Sequence, residues 1–514
     1  MGPWHERPEP STASPWRVFG WALLVGALLS LPASADLPAG RAAGLPPDTA
    51  SLARARAEGP VYVVEAYPRV GRARFPGLTV LAEWEGTALV AGPEGAIEAL
   101  AALGYEVRLV PESRLLPAVP EAAPLVPATF DERVQWVMDQ VQQAGLVTLL
   151  NGLSGEIPVS IEGASQTLLT RYSFFSGCRL AEQYVFETLH AAGLAVEYQP
   201  FYTGTWRNVV ATMPGVTRPG RQILVTAHLD DRPNGATAPG ADDNGSGSAA
   251  VLRAAQIMGP ATFDKTIKFI CFTGEEQGLI GSYAYAEAAA SRGDTIDAVV
   301  NLDMIAYESN DDDVFELHAG TTEASGAIAD AFMDVNTVYG LGLVPEKITT
   351  GATSSSDHAA FWYYGYPAIL AIEDFQDFTP YYHTVGDRVS TLDPGYFTRL
   401  AKAAIGTVAT LAGPAWTTVV GASAPAVLLS LGPNPTRRGA VLRLSLPVPA
   451  EVRLDFFDLA GRRLRTLGGI RPAGVVEVAW DGLDAAGRAA PAGVVFYRAS
   501  AGERVFSGRL VVLR

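Results

Sequence analysis

Six side chains able to bind a metal or move a proton stand just beyond apolar runs of this chain or in the loops between them. His228 directly follows QILVTA, and Glu275 and Glu276 come after KFICF with two residues between. Asp303 directly follows AVVNL, and His383 lies in the loop beyond AILAI. Asp242, within PGADDNGSG, adds another carboxylate. Imidazole and carboxylate are the ligands zinc takes in catalytic sites. His228 is followed two residues later by Asp230, a carboxylate placed to accept the other ring N–H of a metal-bound histidine. Asp242 could set one carboxylate between two metal ions. Adjacent Glu275 and Glu276 diverge, so one can bind metal while the other faces a water as general base. Each piece has a plainer reading. H-x-D arises by chance, A-D-D-N-G also caps helices, and an acid closing a buried strand can pair with arginine or backbone.

The four runs, at 222–227, 268–272, 298–302 and 368–372, are short and continuously apolar, and amphipathic helical stretches separate them. That pattern predicts an α/β domain over 129–412, with a mostly parallel central sheet covered by helices on both faces. In such a sheet the carboxyl ends of the strands line one crevice, where ligands bind. Residues distant in sequence are thereby expected to meet at one rim. The remaining histidines read otherwise: His190 ends an amphipathic helix, His318 follows an acidic strand, and His358 stands in an S-D-H triplet at the margin of the site.

The chain has 514 residues and a formal charge of −16, a balance that argues against nucleic-acid binding. Two cysteines, Cys178 and Cys271, cannot build a disulfide framework. Residues 18–31 are apolar, follow Arg7 and Arg17, and precede Ala33-Ser34-Ala35, which reads as an export signal over 1–35. A secreted or cell-surface protein is expected, with no membrane span in the mature chain. Residues 36–128 read as a small α+β prosegment-like region. It comprises strands near 61–66, 78–82, 87–91 and 106–110, a helix at 94–103 and a proline-rich linker. After a linker at 413–429, residues 430–514 read as an all-β sandwich, with short strands separated by Gly and Pro turns. Residues 437–514 carry 13 arginines against 7 acids, so this part is basic on an acidic protein.

The joint order H-x-D, A-D-D-N-G, G-E-E, L-D-M, S-D-H and Y-H-T-x-x-D resembles the co-catalytic zinc aminopeptidase family, which includes bacterial leucyl aminopeptidases and carboxypeptidase Q. The resemblance covers 129–412. It implies a dinuclear zinc exopeptidase with two Zn2+ per chain and peptides with a free amino terminus as substrates. Asp242 would bridge the ions, His228 and Asp303 would complete one site, and Glu276 and His383 the other. Glu275 would be the general base and Asp230 would orient His228, with Ser356 and Asp357 in outer positions. It also implies a cis peptide between Asp242 and Asp243. The stretch 350–356 lacks a tyrosine that some relatives use to stabilise the transition state. The turns of 430–514, including Gly432-Pro-Asn-Pro435 and Trp480-Asp-Gly482, resemble immunoglobulin-like modules related to the flagellar-hook capping protein and to type IX sorting domains. That resemblance implies contact with secretion machinery or a cell surface; a passive stabilising sandwich is the alternative.

A zinc carboxypeptidase or dipeptidase is the other enzymatic reading. It needs a cation for the substrate carboxylate, and Arg171, Arg232 and Arg388 flank the motifs. A glutaminyl-cyclase-like enzyme and a binding-only ectodomain of the transferrin-receptor kind complete the alternatives. The former uses one zinc, and the latter has lost ligand positions that are occupied here.

Overall fold

The structure, a computed structural model, describes residues 61–65, 78–84, 87–92, 106–110, 119–125, 127–201, 206–233, 235–416, 427–446, 449–472, 474–501 and 504–513. The export signal, the expected helix at 94–103 and most of both linkers lie outside the described residues. The strands foreseen near the amino terminus are present as β1 (Val61–Glu65), β2 (Thr79–Trp84), β3 (Thr87–Ala91) and β4 (Glu106–Val110). They form an antiparallel sheet in the order β2-β3-β1-β4.

The main body has a small hairpin, β5 (Val159–Ile161) and β6 (Ala164–Gln166), and one eight-stranded sheet. The strands of that sheet are β7 (Ala195–Phe201), β8 (Trp206–Met213), β9 (Arg218–His228), β10 (Lys265–Phe272), β11 (Thr295–Leu302), β12 (Val314–His318), β13 (Val344–Ile348) and β14 (Ala368–Glu373). Their order is β13-β12-β14-β11-β9-β10-β8-β7. The four apolar runs of the sequence are the centre, β10, β9, β11 and β14, all parallel. The edges are less regular: β7 and β8 pair antiparallel, and β12 runs antiparallel to β14.

Alternation along each central strand supplies both covered faces. Ile223, Val225 and Ala227 of β9, Phe269 and Cys271 of β10, and Ala298 and Val300 of β11 enter one core cluster. Helices α1 (Glu132–Asp139), α2 (Gln143–Leu153), α4 (Gly247–Met258), α6 (Glu323–Val338) and α8 (Pro394–Ala412) contribute to that cluster, as does α3 (Ser176–Ala191). The intervening Leu224, Ile270, Phe272 and Val299 pack on the opposite face against α5 (Ile280–Arg292) and α7 (His358–Tyr363). Residues buried to 0% on both faces explain why these strands read as unbroken apolar runs. Truncating one of them, such as Ile223 to alanine, is expected to cost about 2–5 kcal/mol. Both cysteines are buried and unpaired.

The carboxy-terminal strands begin at Val427, three residues inside the stretch expected as linker: β15 (Val427–Gly432), β16 (Ala440–Leu446), β17 (Ala450–Phe457), β18 (Arg463–Arg471), β19 (Gly474–Trp480), β20 (Gly493–Ala501) and β21 (Arg504–Val512). They make two antiparallel sheets, β15-β16-β19 and β18-β17-β20-β21. Leu442, Leu444, Leu454, Val478 and Val495 fill the space between them, and Phe456 stacks on Trp480 at 4.1 Å. Strand β18 was not foreseen, because three arginines and two glycines in RLRTLGGIR hide its alternation. Among the described residues no helix is long and apolar enough to cross a membrane.

Candidate active site

Parallel register brings the strand-end residues to one level. His228 is paired with Phe272, and Thr226 with Asn301, so Asp303, two residues past Asn301, stands level with His228. The turn leading into α4 crosses this rim. Gly240 opens it with φ +46°, and a β-carbon there would lie 2.5 Å from the Asp243 carbonyl oxygen and 2.6 Å from Asp231 Cβ. Only glycine is accommodated without displacement.

Four of the expected metal ligands meet here, and the fifth position is taken by a neighbour. His228 Nε2 lies 3.2 Å from Asp303 Oδ1 and 3.3 Å from Asp243 Oδ1. His383 Nε2 lies 3.1 Å from Glu276 Oε2 and 3.2 Å from Asp243 Oδ2. Two groups suited to a cation follow, His228–Asp243–Asp303 and Asp243–Glu276–His383. The shared carboxylate is therefore Asp243, not Asp242. Asp242 turns away: its Oδ1 accepts the Ala306 N–H at 3.0 Å, and its carboxyl lies beside that of Glu373. The physical reason is the turn itself. Asp387 accepts the N–H of Asp242 at 2.9 Å and of Asp243 at 3.0 Å, which fixes the backbone so that the second side chain faces the strand ends. The non-proline cis peptide lies between Asp243 and Asn244, one residue later than expected.

The Asp230 carboxylate does less for His228, and more for the glutamates, than its spacing suggested. His228 Nδ1 is 3.1 Å from the Asp230 carbonyl oxygen but 3.8 Å from its carboxylate. That carboxylate accepts the N–H groups of Glu275 at 3.3 Å and Glu276 at 3.2 Å, and the Ser173 hydroxyl at 2.9 Å. Ser173 Oγ in turn accepts the Gly274 N–H at 3.1 Å. The G-E-E loop is thus held from beneath while the Glu275 side chain stays partly exposed to the cleft. A second relay holds Asp303: Thr226 donates to Asn301, Asn301 to Ser356, and Ser356 Oγ to Asp303 Oδ2 at 2.7 Å.

Electrostatics reflect crowded carboxylates in a dry rim. Burial, reinforced by Glu276 and Asp303, pushes the Glu275 carboxyl well above its ordinary range, while His228 pulls the other way. Burial also raises Asp387 and Asp357 to about 7, and Asp242 to about 6 beside a Glu373 raised further still. Asp243 is the exception: burial opposes ionisation, but His228 and His383 outweigh it and hold the carboxyl well below the usual range. His383 is lowered by burial yet raised more strongly by Glu276 and Asp243, to about 9. A carboxylate kept ionised between two imidazoles is an electrostatic arrangement that a cation pair would share.

The remaining residues find other duties. Arg171 is wholly buried and donates to the carbonyls of Leu229, Leu153, Pro239 and Gly240 at 2.7–2.8 Å. Arg388 pairs with Glu156 at 2.8 Å, and Arg232 approaches Glu276 at 4.0 Å. His358 Nε2 donates to the Thr353 carbonyl at 2.9 Å, while His318 Nδ1 accepts the Thr353 N–H at 3.0 Å. His190 is exposed at the end of α3. Sequence reasoning missed Asp387, Glu373, Ser173 and Asn301. Asp387 was visible in Y-H-T-x-x-D, but nothing in its spacing shows that it reaches back 144 residues to the turn.

The profile of peptidase family M28 matches residues 208–408, the span of the rim and its strands. Leucine aminopeptidase 1 of Ajellomyces capsulatus (strain NAm1 / WU24) is 30% identical over 280 residues, covering 48% of this chain and 70% of that protein. A probable leucine aminopeptidase of Trichophyton verrucosum is 32% identical over 210 residues, 39% of this chain, and this chain spans 55% of its length. Among solved structures, the Legionella pneumophila LapA aminopeptidase superposes with a TM-score of 0.52 at 19% identity, over 69% of this chain and 99% of that one, a likeness of fold. LapB of the same organism does so with a TM-score of 0.52 at 17% identity. With the ordered rim and these relatives together, the chain belongs to peptidase family M28.

Proposed function

We propose that this chain is a dinuclear zinc aminopeptidase that removes the first residue of peptides. The observation that carries the reading is Asp243, whose two carboxylate oxygens each face a separate histidine–carboxylate group. The donor set fits a pair of cations. Asp243 Oδ2, Glu276 Oε1 and His383 Nε2 are buried without a hydrogen-bond partner among the described residues, a costly arrangement unless something charged lies between them. His228, Asp243 and Asp303 would hold one ion, and Asp243, Glu276 and His383 the other. Zinc bound there supplies Lewis acidity, polarising a peptide carbonyl and lowering the pKa of a water to about 7.

Glu275 takes the proton of the attacking water and delivers it to the departing amine. Asp230 and Ser173 keep its loop in place, and Ser356 keeps Asp303 in its rotamer. The carboxylate-rich rim attracts a free α-ammonium group. A carboxypeptidase would instead need a cation for the substrate's carboxylate. Arg171 is committed to four carbonyls, Arg388 to Glu156, and Arg232 to the side of Glu276, which favours the amino end. The apolar run at 18–31 and the basic carboxy-terminal sheets support export to the cell surface or medium.

The test is hydrolysis of aminoacyl-nitroanilides and of amino-blocked peptides by the full chain, before and after chelation, with zinc measured on the same sample. Cleavage of free-amino substrates only, lost on chelation, is expected. Glu275→Gln is expected to keep its zinc and lose about 10²–10⁴ in turnover. Equal cleavage of blocked peptides, or full activity in Glu275→Gln, would overturn the reading.

A further inference from the structure

The outer face of the sheet β18-β17-β20-β21 carries an apolar patch with arginines around it that the peptidase chemistry does not use. Register places Arg463, Phe457, Phe496 and Arg509 side by side across the four strands: Phe457 opposes both Arg463 and Phe496, and Phe496 opposes Arg509. Arg498 stands two residues further along β20, on the same face. Phe496 is 43% exposed. Two residues past Phe457, at the tip of the β17–β18 hairpin, Leu459 is 73% exposed, more than any other large apolar side chain among the described residues.

The arginines here are of two kinds. Arg443, Arg453, Arg462 and Arg488 are paired with Glu477, Asp455, Asp458 and Asp484. Arg463, Arg498 and Arg509 border the phenyl rings; Arg498 stands opposite Asp455, which Arg463 also helps to keep ionised, but that carboxylate's close ion pair is with Arg453. Residues 437–514 hold 13 arginines and 7 acids, a net +6, which leaves −22 for the rest of the chain. The other end of this face is spoken for, since Ile470 of β18 packs against the core of the main body. Six residues separate Ile470 from Arg463, with a bulge among them, so the patch lies about 20 Å from that contact.

We propose that this patch docks the protein onto an anionic lipid surface, with Leu459 and Phe496 entering the headgroup boundary and Arg463, Arg498 and Arg509 meeting lipid phosphates. The charge contrast selects the occupant. A chain whose remainder carries −22 is repelled by an anionic membrane, and this module offers the opposite sign together with an apolar tip. The aliphatic Leu459, 73% exposed at the hairpin tip, gains by entering hydrocarbon and has nothing to offer a sugar, which favours lipid over an acidic polysaccharide. The pattern is that of interfacial attachment, in which modest apolar insertion and electrostatic attraction add.

Co-sedimentation of the full chain with phosphatidylglycerol/phosphatidylcholine vesicles, and with phosphatidylcholine alone, tests it. Binding to the anionic vesicles, reversed by high salt, is expected, with little binding to the neutral ones. Arg463→Gln and Arg509→Gln should each weaken partitioning about fivefold, and Leu459→Asp at least about tenfold. All three positions are exposed, so unchanged thermal melting serves as the folding control. No binding to anionic vesicles overturns the proposal. So does binding that these variants leave intact, or binding to an acidic polysaccharide but not to vesicles.

Discussion

Asparagine at position 243 separates a shared ligand from a structural neighbour. Asp243 presents Oδ1 to His228 at 3.3 Å and Oδ2 to His383 at 3.2 Å, one donor of three in each group. An amide keeps one oxygen and replaces the other by NH₂, which has no lone pair for a cation. One ion should therefore lose a third of its protein ligands, and both should lose the bridging negative charge. Outer groups that merely orient a ligand change metal affinity by about 10–100-fold, so a direct ligand should exceed about 100-fold for at least one ion. Asp242→Asn is the control. Its oxygen can still accept from Ala306 and it carries no ligand atom of either group, so zinc affinity should stay within about tenfold. The assay is zinc titration with a chromogenic competitor on each variant, with total metal measured after desalting. If Asp242→Asn empties the site while Asp243→Asn retains both ions, the assignment of the bridge is wrong and the proposed chemistry loses its centre.

Three further outcomes follow from the same geometry. Arg171→Met strands four buried carbonyls and removes the guanidinium 3.4 Å from Oδ2 of the wholly buried Asp231, which keeps only the backbone N–H of residue 171 and the Thr170 hydroxyl. Unfolding in urea should show a loss of about 3–5 kcal/mol, and a loss below 1 kcal/mol would mean those contacts are dispensable. Burial holds His358 at about 3, below its ordinary 6.5, the Thr353 carbonyl opposing. A depressed histidine contributes stability that is present above pH 6.5 and drains away as pH falls toward 3. Between pH 8 and pH 5 this amounts to about 2 kcal/mol. His358→Gln should flatten the pH dependence by that amount in denaturant titrations, and an unchanged slope would contradict a neutral buried imidazole. Gly240→Ala should lower both melting temperature and zinc retention, because its β-carbon would meet the Asp243 carbonyl at 2.5 Å; wild-type values for both would show that the turn yields freely.

Much of the body was legible because burial on two faces leaves a mark in sequence. The strands β10, β11 and β14, and β9 from Ile223 onward, bury nearly every side chain, so they read as unbroken apolar runs, and a histidine or acid at their ends is conspicuous. Strands at the margins were harder to see. Ala195–Phe201 alternates only partly, and Arg463–Arg471 exposes one face to water, so neither has a pure period.

The chain's order of residues by itself placed His228, the Glu275–Glu276 pair and Asp303 at or just past the ends of apolar runs, because an unbroken apolar run is a local property. Which of two consecutive aspartates faces those side chains was decided only by tertiary structure. The choice depends on Asp387, 144 residues away, accepting both backbone N–H groups of the turn. Likewise Arg171 became a tie among backbone carbonyls rather than a substrate anchor because the fold closed a dry pocket around it. Side-chain direction in a turn is set by long-range hydrogen bonds, and these exist only once the chain has folded.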